Sequence, residues 1–160
     1  MPDLFDRITR HFWLIALLFT AFNTFSYRHG LTRLTQSDPN QARRYVPWPY
    51  GFILLNTVIW LTMGIGTVIG RVPSAFDYFD PSVGNPYVIA WHGVLVSSWL
   101  LTCLWVFVGR GAQFTVDHPG LFFIAPATAN AVRIQFAIGL FGGLWWEVLM
   151  WSRYLTPAHR

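Results

Sequence analysis

The chain has 160 residues, 54% of them hydrophobic and only 11% charged, where a soluble domain carries about 25% charged residues. Its net charge of +4 rests on arginine alone, because no lysine is present; the arginines are scattered over loops and tails without aromatic interleaving, which excludes a nucleic-acid-binding stripe. A single cysteine, Cys103, excludes an internal disulfide and a Cys-x-x-Cys metal or redox centre.

Arg7 and Arg10 precede an apolar run from Phe12 to Phe22, a pattern shared with signal peptides. No small-x-small cleavage pattern follows, since the chain continues Asn23-Thr24-Phe25-Ser26-Tyr27, so the segment reads as a retained first span over about 12–27. Arg10, His11, Arg28 and His29 stand at its ends, where long polar side chains reach outward to the headgroups. Loop 28–49 holds the turn signal Gln36-Ser37-Asp38-Pro39-Asn40-Gln41. Pro47-Trp48-Pro49-Tyr50 opens a second span over about 50–69. No charged residue lies between Arg44 and Arg71 or between Asp80 and Arg110, and a bilayer needs roughly 20 apolar residues per helical crossing.

Loop 70–86 is aromatic for a connection, with Phe76, Tyr78 and Phe79, and is expected to pack against headgroups or another protein. A third span follows Pro86 over about 87–108. Loop 109–130 contains Asp117-His118-Pro119-Gly120 and then the apolar run Leu121–Pro126, too short to cross and read as interfacial or re-entrant. The fourth span runs over about 131–151 and is closed by Arg153. The expected fold is an all-α bundle of four transmembrane helices, one domain over 1–160, with both termini on one side. The arginines divide almost evenly between the two sides and assign no orientation.

Glu147 is the only glutamate, and it lies within Leu144-Trp145-Trp146-Glu147-Val148-Leu149-Met150-Trp151. An ionised carboxylate in hydrocarbon is costly, so it needs a buried partner or a retained proton. At about 100° per residue, Arg133, Phe136, Leu140, Gly143, Glu147 and Trp151 share one helix face beside a Gly139/Gly143 pair that favours close helix approach. Arg133 and Glu147 are roughly 21 Å apart along the axis and cannot pair. His92 lies at a similar depth on the third span, on a face with Val96, Trp99 and Cys103, and is the expected partner. A Glu–His pair can relay a proton; the plainer reading, which the sequence favours, is a hydrogen bond clamping two helices.

A second polar group, near the opposite side, comprises Asn23, Asn56 and Arg133, with Gln135 and Thr102 beside it. Its plainer role is interhelical hydrogen bonding, and its sharper one contact with an anionic headgroup or ligand. A haem held by His11 and His92, a pigment magnesium held by His92 alone, or a quinone beside deep aromatics such as Trp60, Trp99 and Trp105 are the cofactors the residues allow. No hydrolase, zinc or phosphate-loop motif is present. Gly64-Ile65-Gly66 and Gly70 imitate a dinucleotide loop but have the wrong spacing and lie inside a span.

Two function classes follow. The first is an accessory or assembly subunit of a larger membrane complex, respiratory or photosynthetic, in a bacterial inner or photosynthetic membrane, with the bilayer and other subunits as partners. The second is a small membrane enzyme or carrier for a lipophilic or protonatable ligand, using Glu147 and His92.

Overall fold

The computed structural model describes residues 4–37, 39–40, 48–117 and 128–155. The described residues are helices and short connections, with no β-strand among them. In chain order they are α1 (Leu4–Arg10), α2 (Phe12–Ser37), α3 (Trp48–Val68), two 3-10 turns (Ala75–Phe79 and Pro81–Val83), α4 (Pro86–Cys103), a π-helical turn (Leu104–Val108), α5 (Gly111–Asp117) and α6 (Ala129–Leu155). They form two compact units, Met1–Val94 and Leu95–Arg160, whose boundary falls within α4.

Two of the described helical stretches are long and apolar enough to cross a membrane: Pro86–Val108 and Ala129–Ser152. They coincide with the expected third and fourth spans. Phe12–Ser26 and Ile53–Val68 are shorter apolar helices. The expected first span is the opening part of a longer helix, since α2 continues to Ser37. The charges at Arg28 and His29 end the apolar run, but charge does not end a helix. Within α2, Thr20, Thr24 and Thr32 each return their hydroxyl proton to the carbonyl four residues earlier, so the helix satisfies their polarity internally.

In the first unit α2 packs on α3. A Cβ at Gly64 would lie 2.6 Å from the Trp13 ring, so only glycine lets that indole lie flat on the helix. Phe12 meets Trp60 edge-on, with centroids 5.7 Å apart. The connection 70–86 then folds back onto α3. The Asp77 carboxylate accepts from the Ser74 N–H at 2.8 Å and the Ser74 hydroxyl at 2.7 Å, closing the first 3-10 turn. Asp80 accepts from the Ser82 N–H at 3.0 Å and starts the second, which Gly84 ends in the left-handed region at φ 69°. Tyr78, fully buried, donates its hydroxyl to the Met63 carbonyl at 2.6 Å, and the Asn85 amide donates to the Gly70 carbonyl at 3.2 Å.

The loop expected to face headgroups or another protein is therefore split in use. Val72, Tyr78 and Pro81 are buried within the unit, whereas Phe76 and Val83 are exposed. The reason is the same hydrophobic effect that drives helix packing: a loop rich in aromatic residues beside a glycine-smoothed helix covers its own chain first.

In the second unit the π-helical turn, α5 and the start of α6 share a small core. Val106, Ala112 and Val132 are fully buried, with Trp105, Val116, Ala129 and Phe136 packed around them. The helix α5 lies in the segment expected to be a loop; Gly111 allows it to start directly under the Trp105 ring. Thr128 precedes α6 and accepts the Ala131 N–H at 3.2 Å on its hydroxyl, an N-cap. The apolar run Leu121–Pro126 lies outside the described residues.

Candidate functional site

The singled-out residues fall in both units, and each is described within its own. In the first unit His92 is 2% exposed on α4. Its Nε2 lies 2.9 Å from the Tyr78 carbonyl oxygen. A carbonyl only accepts, so Nε2 carries the proton and donates it. The Trp91 indole stands edge-on to the imidazole at 5.2 Å and edge-on to Tyr78 at 5.6 Å. Trp91 is itself 4% exposed, and its indole N–H has no hydrogen-bond partner among the described residues. Burial raises the Tyr78 phenol above its ordinary value near 10, opposed by a hydrogen bond with the Thr67 side chain.

Iron or magnesium ligation through the His92 Nε2 would first have to break the bond to Tyr78. His11, the second histidine considered for a haem, is exposed and donates its Nδ1 proton to the Arg7 carbonyl at 2.8 Å. Among the described residues, no cluster of three or more His, Cys, Asp or Glu is arranged to hold a metal ion. Asn23 is exposed on α2 and Asn56 half-buried on α3.

In the second unit Glu147 is 5% exposed, although both neighbours, Trp146 and Val148, are more than half exposed. Its Oε2 accepts from the Trp151 indole N–H at 3.2 Å, one turn further along. The face computed for this helix is the face that is covered: Arg133, Phe136, Leu140, Gly143, Glu147 and Trp151 are all buried or half-buried. Gly143 is half-buried and a Cβ there would lie 2.8 Å from the Trp99 ring. Among the described residues, a Cβ at Gly139 would meet nothing within 4 Å. Gly139 lines a cleft of about 380 Å³ with Trp99, Cys103, Gln135, Phe136 and Leu140. Arg133 donates from Nη1 to the Asn130 side-chain oxygen at 3.0 Å.

Sequence reasoning missed Tyr78, Asn130 and Trp151 as partners. Two of the three were accessible: Asn130 precedes Arg133 by three residues and Trp151 follows Glu147 by four, the spacings at which helical side chains meet. The bond from His92 to a loop carbonyl carried no local signal, because it depends on how 70–86 folds back.

Chemically, the first unit presents a buried imidazole with a fixed Nε2 proton in an aromatic wall. The second presents a buried carboxyl group and an aromatic-lined cleft. The chain matches no protein-family model, no curated protein and no solved structure.

Proposed function

We propose that the chain is a small polytopic membrane protein, crossing the bilayer four times with both termini on one side, and that it serves as an accessory or assembly subunit of a larger membrane complex. The parent complex would be respiratory or photosynthetic, in a bacterial inner or photosynthetic membrane. The observation that carries this reading is an apolar patch outside the spans. Leu4 and Phe5 of α1 and Phe76 and Val83 of the 70–86 connection are each more than half exposed, and Phe5 stacks on Phe76 with centroids 5.9 Å apart. In this reading lipid tails cover helix faces such as Ile134, Ile138 and Phe141, whereas exposed apolar residues on a connection, Phe5 and Phe76 in contact among them, suit headgroups or another subunit and support an interaction surface. Extraction in a mild detergent followed by size separation and mass spectrometry tests it. Co-purifying subunits, lost in a Phe76→Ser/Val83→Ser variant, support the reading; an 18.4 kDa monomer migrating alone overturns it.

A second reading is favoured by the two buried ionisable side chains, Glu147 and His92. In it the chain is a small enzyme or carrier for a lipophilic or protonatable ligand, with those residues moving or holding a proton. Trp99 would contact a flat cofactor such as haem, pigment or quinone, and Arg133, Asn56 and Asn23 would contact an anion. An absorption spectrum of the purified protein and mass spectrometry of its bound small molecules separate the two readings.

A further inference from the structure

A cleft of about 470 Å³ lies between α2 and α3 in the first unit. Its long wall is apolar, formed by Leu17, Ala21 and Phe25 of α2 and Ile53 of α3. Thr57 of α3 faces it too, as do Thr20 and Thr24 of α2, but the hydroxyl protons of Thr20 and Thr24 are spent on the carbonyls of Ala16 and Thr20, at 2.9 and 2.7 Å. Those two offer methyl groups and lone pairs to an occupant, and no free proton. One end is different: among the described residues, Arg28 is the one charged side chain that lines the cleft.

The dimensions match one kind of molecule. From Leu17 to Arg28 the helix rises roughly 16 Å at 1.5 Å per residue, which is about half of the roughly 30 Å hydrocarbon thickness of a bilayer. With α2 crossing the bilayer as proposed above, an apolar part of this length would match one leaflet and put the guanidinium at headgroup level. A guanidinium at the mouth of an apolar slot is complementary to an anion that carries a hydrocarbon tail.

We propose that this cleft is a site for an anionic membrane lipid, its phosphate held by Arg28 and one acyl chain lying along Leu17, Ala21 and Phe25. The inference rests on the membrane-spanning reading of α2 and α3. Alkaline carbonate extraction and labelling of single cysteines placed along α2 and α3 with a membrane-impermeant thiol reagent test that reading separately: release from membranes, or labelling along the whole of either helix, fails it before any lipid is considered.

For a chain retained in membranes, native mass spectrometry in detergent measures binding of phosphatidylglycerol and phosphatidylcholine with identical palmitoyl-oleoyl chains. The expected result is a preference for phosphatidylglycerol of about fivefold, the contribution of one arginine beside an anionic head. Arg28→Gln is expected to bring the two lipids level, and Arg28→Lys to retain most of the preference. Ala21→Trp, which fills the slot from an exposed position, is expected to weaken both lipids. Glycerol phosphate, a head without chains, is expected not to compete. Equal binding of both lipids by the unsubstituted protein, a preference that survives Arg28→Gln, or displacement by glycerol phosphate would each overturn the proposal.

Discussion

Substituting Gly66 by alanine tests how the 70–86 connection is held to α3. The added Cβ falls on the Tyr78 hydroxyl, inside any permissible contact, and 3.0 Å from the Tyr87 Cβ. Neither neighbour yields easily. Tyr78 is fully buried and donates to the Met63 carbonyl at 2.6 Å, while Tyr87 is fixed near the start of α4 by its N–H, which donates to the Asn85 side-chain oxygen at 2.9 Å. Overpacking of this kind costs about 1–3 kcal/mol, and displacing the phenol adds about 1 kcal/mol for its hydrogen bond. The expected loss is therefore about 2–4 kcal/mol. Tyr78→Phe alone is expected to cost about 1–2 kcal/mol. In the double variant the clashing oxygen is gone and the ring carbon stands 3.1 Å from the new methyl group, a separation that a small shift relieves. The double variant should then be more stable than the sum of the single losses allows, by about 1 kcal/mol or more. Equilibrium unfolding in mixed detergent and dodecyl sulfate measures all four corners of the cycle. A Gly66→Ala variant within about 0.5 kcal/mol of the parent, or strict additivity, would refute the docking of Tyr78 on Gly66.

Because burial raises the Tyr78 phenol above 10, the folded state holds that proton more tightly than the unfolded chain. Its stabilisation is complete below pH 10 and drains as pH rises toward the folded value, so the stability gap between parent and Tyr78→Phe should narrow in alkaline unfolding series and stay constant from pH 7 to 9. Glu147→Gln keeps an oxygen for the Trp151 N–H and should unfold within about 1 kcal/mol of the parent, whereas Glu147→Leu removes that acceptor and should cost about 1–3 kcal/mol. If Glu147 relays a proton, Gln also abolishes activity or growth support while the fold survives; unchanged function with Gln would sink that role. Trp91→Phe deletes a buried N–H that has no partner among the described residues, so stability in thermal unfolding should fall by less than the roughly 3 kcal/mol of a large truncation, since none of the described hydrogen bonds is lost with the indole.

What was legible in the sequence was mostly helical phase. The apolar runs located the third and fourth long helices to within a few residues, and a 100° step on the last one named the covered face residue by residue, Glu147 included. The surroundings of each polar group were less legible, for a physical reason. A partner three or four residues away on the same helix is fixed by geometry, as with Arg133 and Asn130. One reached across a turn depends on the tertiary path, as with His92 and the Tyr78 carbonyl, 14 residues apart in the chain.

Glycine pairs show the same division between what spacing states and what it leaves open. Small residues four apart permit something to approach a helix backbone, and in lipid the usual visitor is another helix. On α3 the visitors to Gly66 and the nearby Gly70 are Tyr78 and Tyr87, carried by the chain's own connection and by the start of the next helix. On α6 the visitor to Gly143 is a single indole ring, Trp99, and Gly139 is left to line a cleft. In a chain with nine tryptophans and fourteen phenylalanines, flat rings compete with helix backbones for every smooth surface. They bring large apolar area at little entropic cost, because few torsions are frozen. Within the chain, rings therefore take the smooth surfaces at Gly66, Gly70 and Gly143, while among the described residues the one at Gly139 stays open. A Gly143→Ala substitution should act on Trp99 and the cleft beside it. It should change the fluorescence of that indole, measured against a Trp99→Phe control, while Gly139→Ala leaves the signal unmoved.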